Sequence, residues 1–220
     1  MTRQQEGLAA DRCAVVVVDL QNDFCHDRGG MAQLGQDVTR AQESIPHVQQ
    51  LIDAAHATEV PVIFVRTAHS DWFDTPAWVS RGRGGEAIDV GRIPLVREGT
   101  WGAEFYGVAP APQDLVITKH RFSGFAYTPL ELALRARRRD TVVLAGTVTN
   151  VCVEATGLDA LMRGFFPVLV AECASAASAL ADEAARDEFA HHIGVVVPLS
   201  DITGAWAMSK PITDVGRSTA

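Results

Sequence analysis

Six short runs of aliphatic residues restrict the fold of this chain more than any other feature: Ala14–Val18, Val60–Val65, Leu115–Ile117, Thr141–Leu144, Val168–Val170 and Gly194–Val197. A strand with one wet face alternates polar and apolar side chains, whereas a strand covered on both faces reads as an unbroken apolar run. These runs are unbroken, so they suit a parallel sheet with helices on both faces. The segments between them supply the helices. Residues 37–57 place Val38, Ala41, Ile45, Val48, Leu51, Ile52 and Ala55 on one stripe. Residues 128–138 begin with Thr128 as N-cap, Pro129 in the first turn and Glu131 as the capping-box partner. Helical segments at 151–163 and about 178–192 follow. Strand–helix alternation of this kind predicts an α/β fold with right-handed crossovers. The exception is residues 67–112, rich in Gly, Arg, Pro and Trp, which reads as a functional loop or lid. No linker or repeat divides the chain, and residues 1–220 are expected to form one domain.

Composition removes several classes of function. A net charge of -8 argues against nucleic acid, which needs a concentrated basic face. The basic run Arg135–Arg139 closes a predicted helix, where cations complement the carbonyl end and stay solvated. No apolar stretch is long enough to cross a membrane, and the polar N-terminus leads into no apolar signal region. The four cysteines, Cys13, Cys25, Cys152 and Cys173, are too sparse for a disulfide framework and show no CxxC spacing. A reducing, cytoplasmic setting follows, in which each thiol is either core filler or a nucleophile.

In open parallel sheets the ligand crevice lies beyond the carboxyl ends of the strands. The first strand runs into Asp19, the third into Lys119, and the fourth into Gly146-Thr147-Val148-Thr149-Asn150-Val151-Cys152 at the start of a helix. A carboxylate, an ammonium and a thiol thus converge on one edge. A thiol in the first helical turn meets the positive end of the macrodipole, and Lys119 acts in the same direction, so a thiolate is expected. Asp19 can then carry the thiol proton to a leaving amine, and the backbone amides of the turn can hold an oxyanion. Each residue also has an ordinary reading: Cys152 as core filler, Asp19 as a helix cap, Lys119 as a solvated strand end.

Three blocks, Val18-Asp19-Leu20-Gln21-Asn22-Asp23-Phe24, Lys119-His120-Arg121-Phe122-Ser123-Gly124-Phe125 and Gly146 to Glu154, resemble the isochorismatase-like cysteine hydrolases, in the family's order. The similarity runs over about residues 13–175. It implies a six-stranded parallel sheet, Asp19, Lys119 and Cys152 as the catalytic set, and a cis peptide at Thr147–Val148. The implied oxyanion hole is made of the Val148 and Cys152 amides. Within the family, Arg97-Glu98-Gly99-Thr100-Trp101-Gly102, Lys119 to Thr128 and Thr149 to Glu154 look closest to ureidoacrylate amidohydrolases and biuret hydrolases. That likeness implies ping-pong hydrolysis of a small amide or carbamoyl compound, without a cofactor, in a homodimer or homotetramer. The apolar tail around Ile202, Trp206 and Met208 is a candidate cover for a neighbouring subunit. An amidase of a specialised metabolite and a catalytically idle binding protein are the alternatives.

Nicotinamidases of this family carry an Asp-x-His plus His metal site, and no such cluster is found here; His26 and His69 are the only candidate remnants. Pocket candidates follow from position: Asn22 and Phe24 after the first strand, Arg121 and Phe122 after the third, Trp72 and Trp78 in the long loop. Each Trp also reads as packing beneath that loop. Arg121 is a candidate for bidentate recognition of a substrate carboxylate. Cys13, Cys25 and Cys173 read as structural, with Cys25 close enough to the crevice to be open to oxidation.

Overall fold

The computed structural model describes residues 8–80 and 94–208. The six apolar runs become strands β1 (Cys13–Val18), β2 (Val62–Thr67), β3 (Leu115–Lys119), β4 (Thr141–Thr147), β5 (Phe166–Ser175) and β6 (Val195–Val197). They form one parallel sheet in the order β3-β2-β1-β4-β5-β6. The chain builds outward from β1 in one direction and then from β4 in the other. The boundary between these two strands is therefore the topological switch point, where a crevice opens at the carboxyl ends.

The central strands are unbroken because both of their faces are covered. Cys13, Val15 and Val17 of β1 pack with α1 (Thr39–Ala57) and α5 (Leu199–Met208), while Ala14, Val16 and Val18 pack on the opposite side. That side is covered by α2 (Leu130–Ala136), α3 (Glu154–Met162) and the turn after α4 (Ala179–Glu188), through Leu130, Leu134, Ala160 and Phe189. The expected stripe of α1 faces the core through Ala41, Val48, Leu51, Ile52 and Ala55. Burial of such side chains contributes about 1.5–3 kcal/mol each, which is what holds an amphipathic helix to a sheet.

Several local expectations are corrected. The helix at 128–138 spans Leu130–Ala136, with Pro129 in the N-cap position where Thr128 was expected. The Thr128 hydroxyl accepts from Leu130 N at 3.2 Å, while Glu131 pairs with Arg135 at 2.9 Å rather than closing a capping box. The basic run stays largely solvated, as expected: Arg135, Arg137 and Arg138 are exposed, while Arg135 also lies over the Phe165 ring at 4.7 Å and Arg139 donates to Ala10 O at 3.0 Å. The segment at 151–163 is preceded by a wide π-type turn over Thr149–Val153, so Cys152 sits in that turn rather than in α3. Of the apolar tail, Ile202 and Trp206 are fully buried against α1 and β5 of their own chain, and Met208 is exposed. The lid expected over residues 67–112 includes residues 81–93, which lie outside the described residues. Among the described residues no helix is long and apolar enough to cross a membrane.

Candidate active site

Asp19 directly follows β1 in a left-handed conformation, φ 54°, with its amide on Val65 O at 2.8 Å and its carbonyl accepting from Gln21 N at 2.8 Å. This sharp turn redirects the chain at the sheet edge and leaves the carboxylate buried. The neighbouring strand permits so close an approach only through Gly146, φ 121°, where an added Cβ would lie 1.9 Å from Val18 O. Lys119 ends β3 and is also fully buried. Its Nζ lies 2.7 Å from Asp19 Oδ2 and 3.4 Å from Cys152 Sγ, and donates to Arg121 O at 3.1 Å. The three ionisable groups expected to converge therefore share one buried cluster.

A fourth member was not singled out from the sequence. Thr67, the last residue of β2, donates to Asp19 Oδ1 at 2.9 Å and accepts from Lys119 Nζ at 2.7 Å. Its hydroxyl fills the space between the two charges and satisfies both. Gln21 fixes Thr67 in turn: it donates to Thr67 O at 2.8 Å and accepts from Thr67 N at 2.7 Å. The Asp19 carboxylate faces the Lys119 ammonium through Oδ2 at 2.7 Å and is hydrogen-bonded to the Cys152 thiol, which places it to exchange the thiol proton. The available signal was the position, since Thr67 closes an apolar strand at the same edge as Asp19 and Lys119.

The electrostatics correct the expected thiolate. Burial pushes the Cys152 thiol up to about 12; Lys119 pulls against this and Asp19 adds to it. Burial also pulls the Lys119 ammonium down, but Asp19 and then Cys152 overcome this, and its pKa is raised. The resting cluster is thus a protonated thiol beside an ion pair. Desolvation by burial is the largest influence on the thiol and outweighs the opposing pull of Lys119.

Backbone details around the thiol match the resemblance: the Thr147–Val148 peptide is cis. The turn carrying Cys152 is anchored from α4, where buried Asp182 accepts from Thr149 Oγ1 at 2.8 Å and is flanked by Arg40 at 2.9 Å and Arg186 at 2.7 Å. Phe24 and Val148 line a small cleft, partly open to solvent, together with Thr147, Val38, Ala41 and Ser175.

The other pocket candidates take different places. Asn22 is buried and donates to Trp101 O at 2.8 Å, tying down the 94–105 segment. Trp78 packs on Phe122 with centroids 4.8 Å apart, forming an aromatic pair beside Arg121. Trp72 is 92% exposed among the described residues. The bidentate fork of Arg121 is already engaged within the chain, NH1 and NH2 both donating to Phe73 O at 3.2 Å. Cys25 is fully buried, with its thiol pushed up to about 12 by burial, which removes the expected access for oxidants. His26 packs edge-on against Trp101 and Tyr106, and His69 Nδ1 lies 2.9 Å from Asp74. Among the described residues no group of three His, Cys, Asp or Glu side chains is placed to hold a metal ion.

Fold and site together place a buried thiol, a lysine and an aspartate at the switch point of a parallel α/β sheet. A family model described as the isochorismatase domain matches residues 13–201, and the chain belongs to the isochorismatase family. It is 33% identical over 175 residues to the ureidoacrylate amidohydrolase RutB of Methylobacterium radiotolerans, covering 72% of this chain and 65% of that protein. With the protein of the same name from Agrobacterium fabrum the identity is 28% over 223 residues, covering 94% and 95%. Among solved structures, a cysteine hydrolase from Pseudomonas syringae pv. phaseolicola superposes with a TM-score of 0.79 at 27% identity, over 90% of this chain and 93% of that one. N-carbamoylsarcosine amidase from Thermoplasma acidophilum gives a TM-score of 0.69 at 29% identity, over 86% and 96%.

Proposed function

We propose that this chain is a cysteine-dependent amidohydrolase that cleaves a small amide or carbamoyl compound through a thioester on Cys152. The observation that carries the reading is the buried contact set of Cys152 Sγ, Lys119 Nζ, Asp19 and Thr67 at the ends of β1, β2 and β3 and the turn after β4. A thiol held protonated at rest needs a base at the moment of attack, and Asp19 is the base in contact with it. As Sγ bonds to the substrate carbonyl carbon, the thiol proton passes to Asp19, and Lys119 offsets the charge moving through the cluster. The amides of Val148 and Cys152 are assigned to the oxyanion.

Collapse of the tetrahedral species breaks the C–N bond, and the Asp19 proton leaves with the amine or ammonia. Water then attacks the thioester, giving up a proton to Asp19, which returns it to the departing sulfur. No redox change occurs and the enzyme is regenerated. The curated amidohydrolase relatives and the carbamoyl amidase neighbour support cleavage of a C–N amide bond. We further propose that the enzyme is a homodimer or homotetramer in the cytoplasm.

The test is ammonia release from 3-ureidoacrylate, biuret, N-carbamoyl amino acids and nicotinamide, by wild type and Cys152→Ala. Turnover of a carbamoyl compound by wild type, abolished in the variant, is expected. Turnover that survives in Cys152→Ala would remove the thiol from the mechanism.

A further inference from the structure

We infer that Ser175 forms a polar subsite for an uncharged carbamoyl or carboxamide group of the substrate, next to the scissile carbonyl; the inference rests on the proposed amidohydrolase function. Ser175 ends β5, directly across from Thr147 of β4, the residue that begins the cis peptide beside the reaction centre. It lines the cleft that Thr147, Val148 and Phe24 also line. Ser175 is 3% exposed, and its hydroxyl has no hydrogen-bond partner. Its carbonyl, by contrast, accepts from Thr147 Oγ1 at 3.3 Å, so the backbone is satisfied and the side chain alone is left over.

A buried hydroxyl without a partner is unfavourable in a folded chain, and a ligand group that accepts from it removes that penalty. Apolar Phe24, Met31, Val38 and Ala41 line the same cleft, a lining that suits a small planar group. At the mouth stands Asp37, an exposed carboxylate whose pKa is lowered by the Thr39 backbone amide that it accepts, so it is anionic at neutral pH. An anion there disfavours a substrate carboxylate and suits N–H donors. A carboxamide meets both demands: its carbonyl accepts from the Ser175 hydroxyl, and its N–H groups face the acidic mouth.

The experiment compares N-carbamoylglycinamide with N-carbamoylglycine, which differ only in amide against carboxylate, for wild type and Ser175→Ala. Wild type should turn over the carboxamide with the higher kcat/KM. Ser175→Ala should raise KM for the carboxamide roughly tenfold, as expected for one lost neutral hydrogen bond, with kcat within about twofold and an unchanged Tm. That split separates a binding contact from a structural one, which would lower Tm and kcat together. An unchanged KM in Ser175→Ala, or a wild-type preference for the carboxylate, would overturn the subsite while leaving the amidohydrolase in place. Silence of wild type on both compounds overturns the subsite, and the wider ammonia-release panel then decides whether the proposed function falls with it.

Discussion

Replacing Thr67 by Val removes a single oxygen from the centre of the cluster and leaves the shape of the side chain nearly intact. That oxygen donates to Asp19 and accepts from Lys119, both buried. Hydrogen bonds to charged groups contribute about 1.5–3 kcal/mol each, and loss of both leaves two buried charges undersatisfied, so Thr67→Val should destabilise by about 3–6 kcal/mol. In a domain of this size that corresponds to a fall in Tm of roughly 10–20 °C. Activity should fall further than stability explains, because Asp19 loses the contact that orients its carboxylate toward the thiol. A decrease of about a hundredfold in kcat is expected from misplacement on this scale. Thr67→Ser keeps the hydroxyl and loses only a methyl, so it should retain most activity at a stability loss of about 1 kcal/mol. The assays are thermal unfolding and ammonia release on the same preparations. Thr67→Val with wild-type Tm and kcat, or Thr67→Ser as impaired as Thr67→Val, would refute the reasoning.

Other substitutions and conditions test separate parts of the structure. Lys119→Met should cost about 3–5 kcal/mol by stranding the buried Asp19 carboxylate, and Asp19→Asn in the same chain should recover part of it in urea titrations. Gly146→Ala forces a Cβ against Val18 O, and destabilisation above about 4 kcal/mol is expected, read as loss of soluble, cooperatively melting protein. Stability should be flat near neutrality and fall above about pH 9. Burial raises the thiols of Cys13, Cys25 and Cys152 from 9.0 to about 12, so the unfolded chain releases these protons first. Each contributes a slope of up to about 1.4 kcal/mol per pH unit until the folded value is reached. Urea midpoints that do not change between pH 8 and 10.5 would contradict the buried, protonated thiols.

What the sequence made legible was whatever depends on period and position. Unbroken runs such as Ala14–Val18 announce a strand covered on both faces, and the stripe of residues 37–57 announces its covering helix. Once the strands are placed, Asp19, Lys119 and Cys152 fall on one edge by topology alone. What stayed hidden depends on distances between side chains remote in the chain. Thr67 is an unremarked strand end until β2 is seen next to β1, and the Ser175 hydroxyl gains meaning only when β5 runs well past Val170 to face Thr147. The thiolate expectation failed for a related reason. Helix dipole and lysine were visible in the sequence, whereas full burial of the sulfur was not, and burial is the larger effect. Arg121 and Trp72 show the limit of placing pocket residues by chain position, since one is engaged by Phe73 O and the other stands in solvent.

The most direct test of the central claim is the mass of the enzyme quenched in acid during turnover of a carbamoyl substrate. The account predicts a species heavier by the substrate acyl group, mapped to the peptide bearing Cys152, released by hydroxylamine and absent from Cys152→Ala. Rapid turnover with no acyl adduct on Cys152, under conditions where thioester hydrolysis is slowed, would contradict a mechanism that passes through this sulfur.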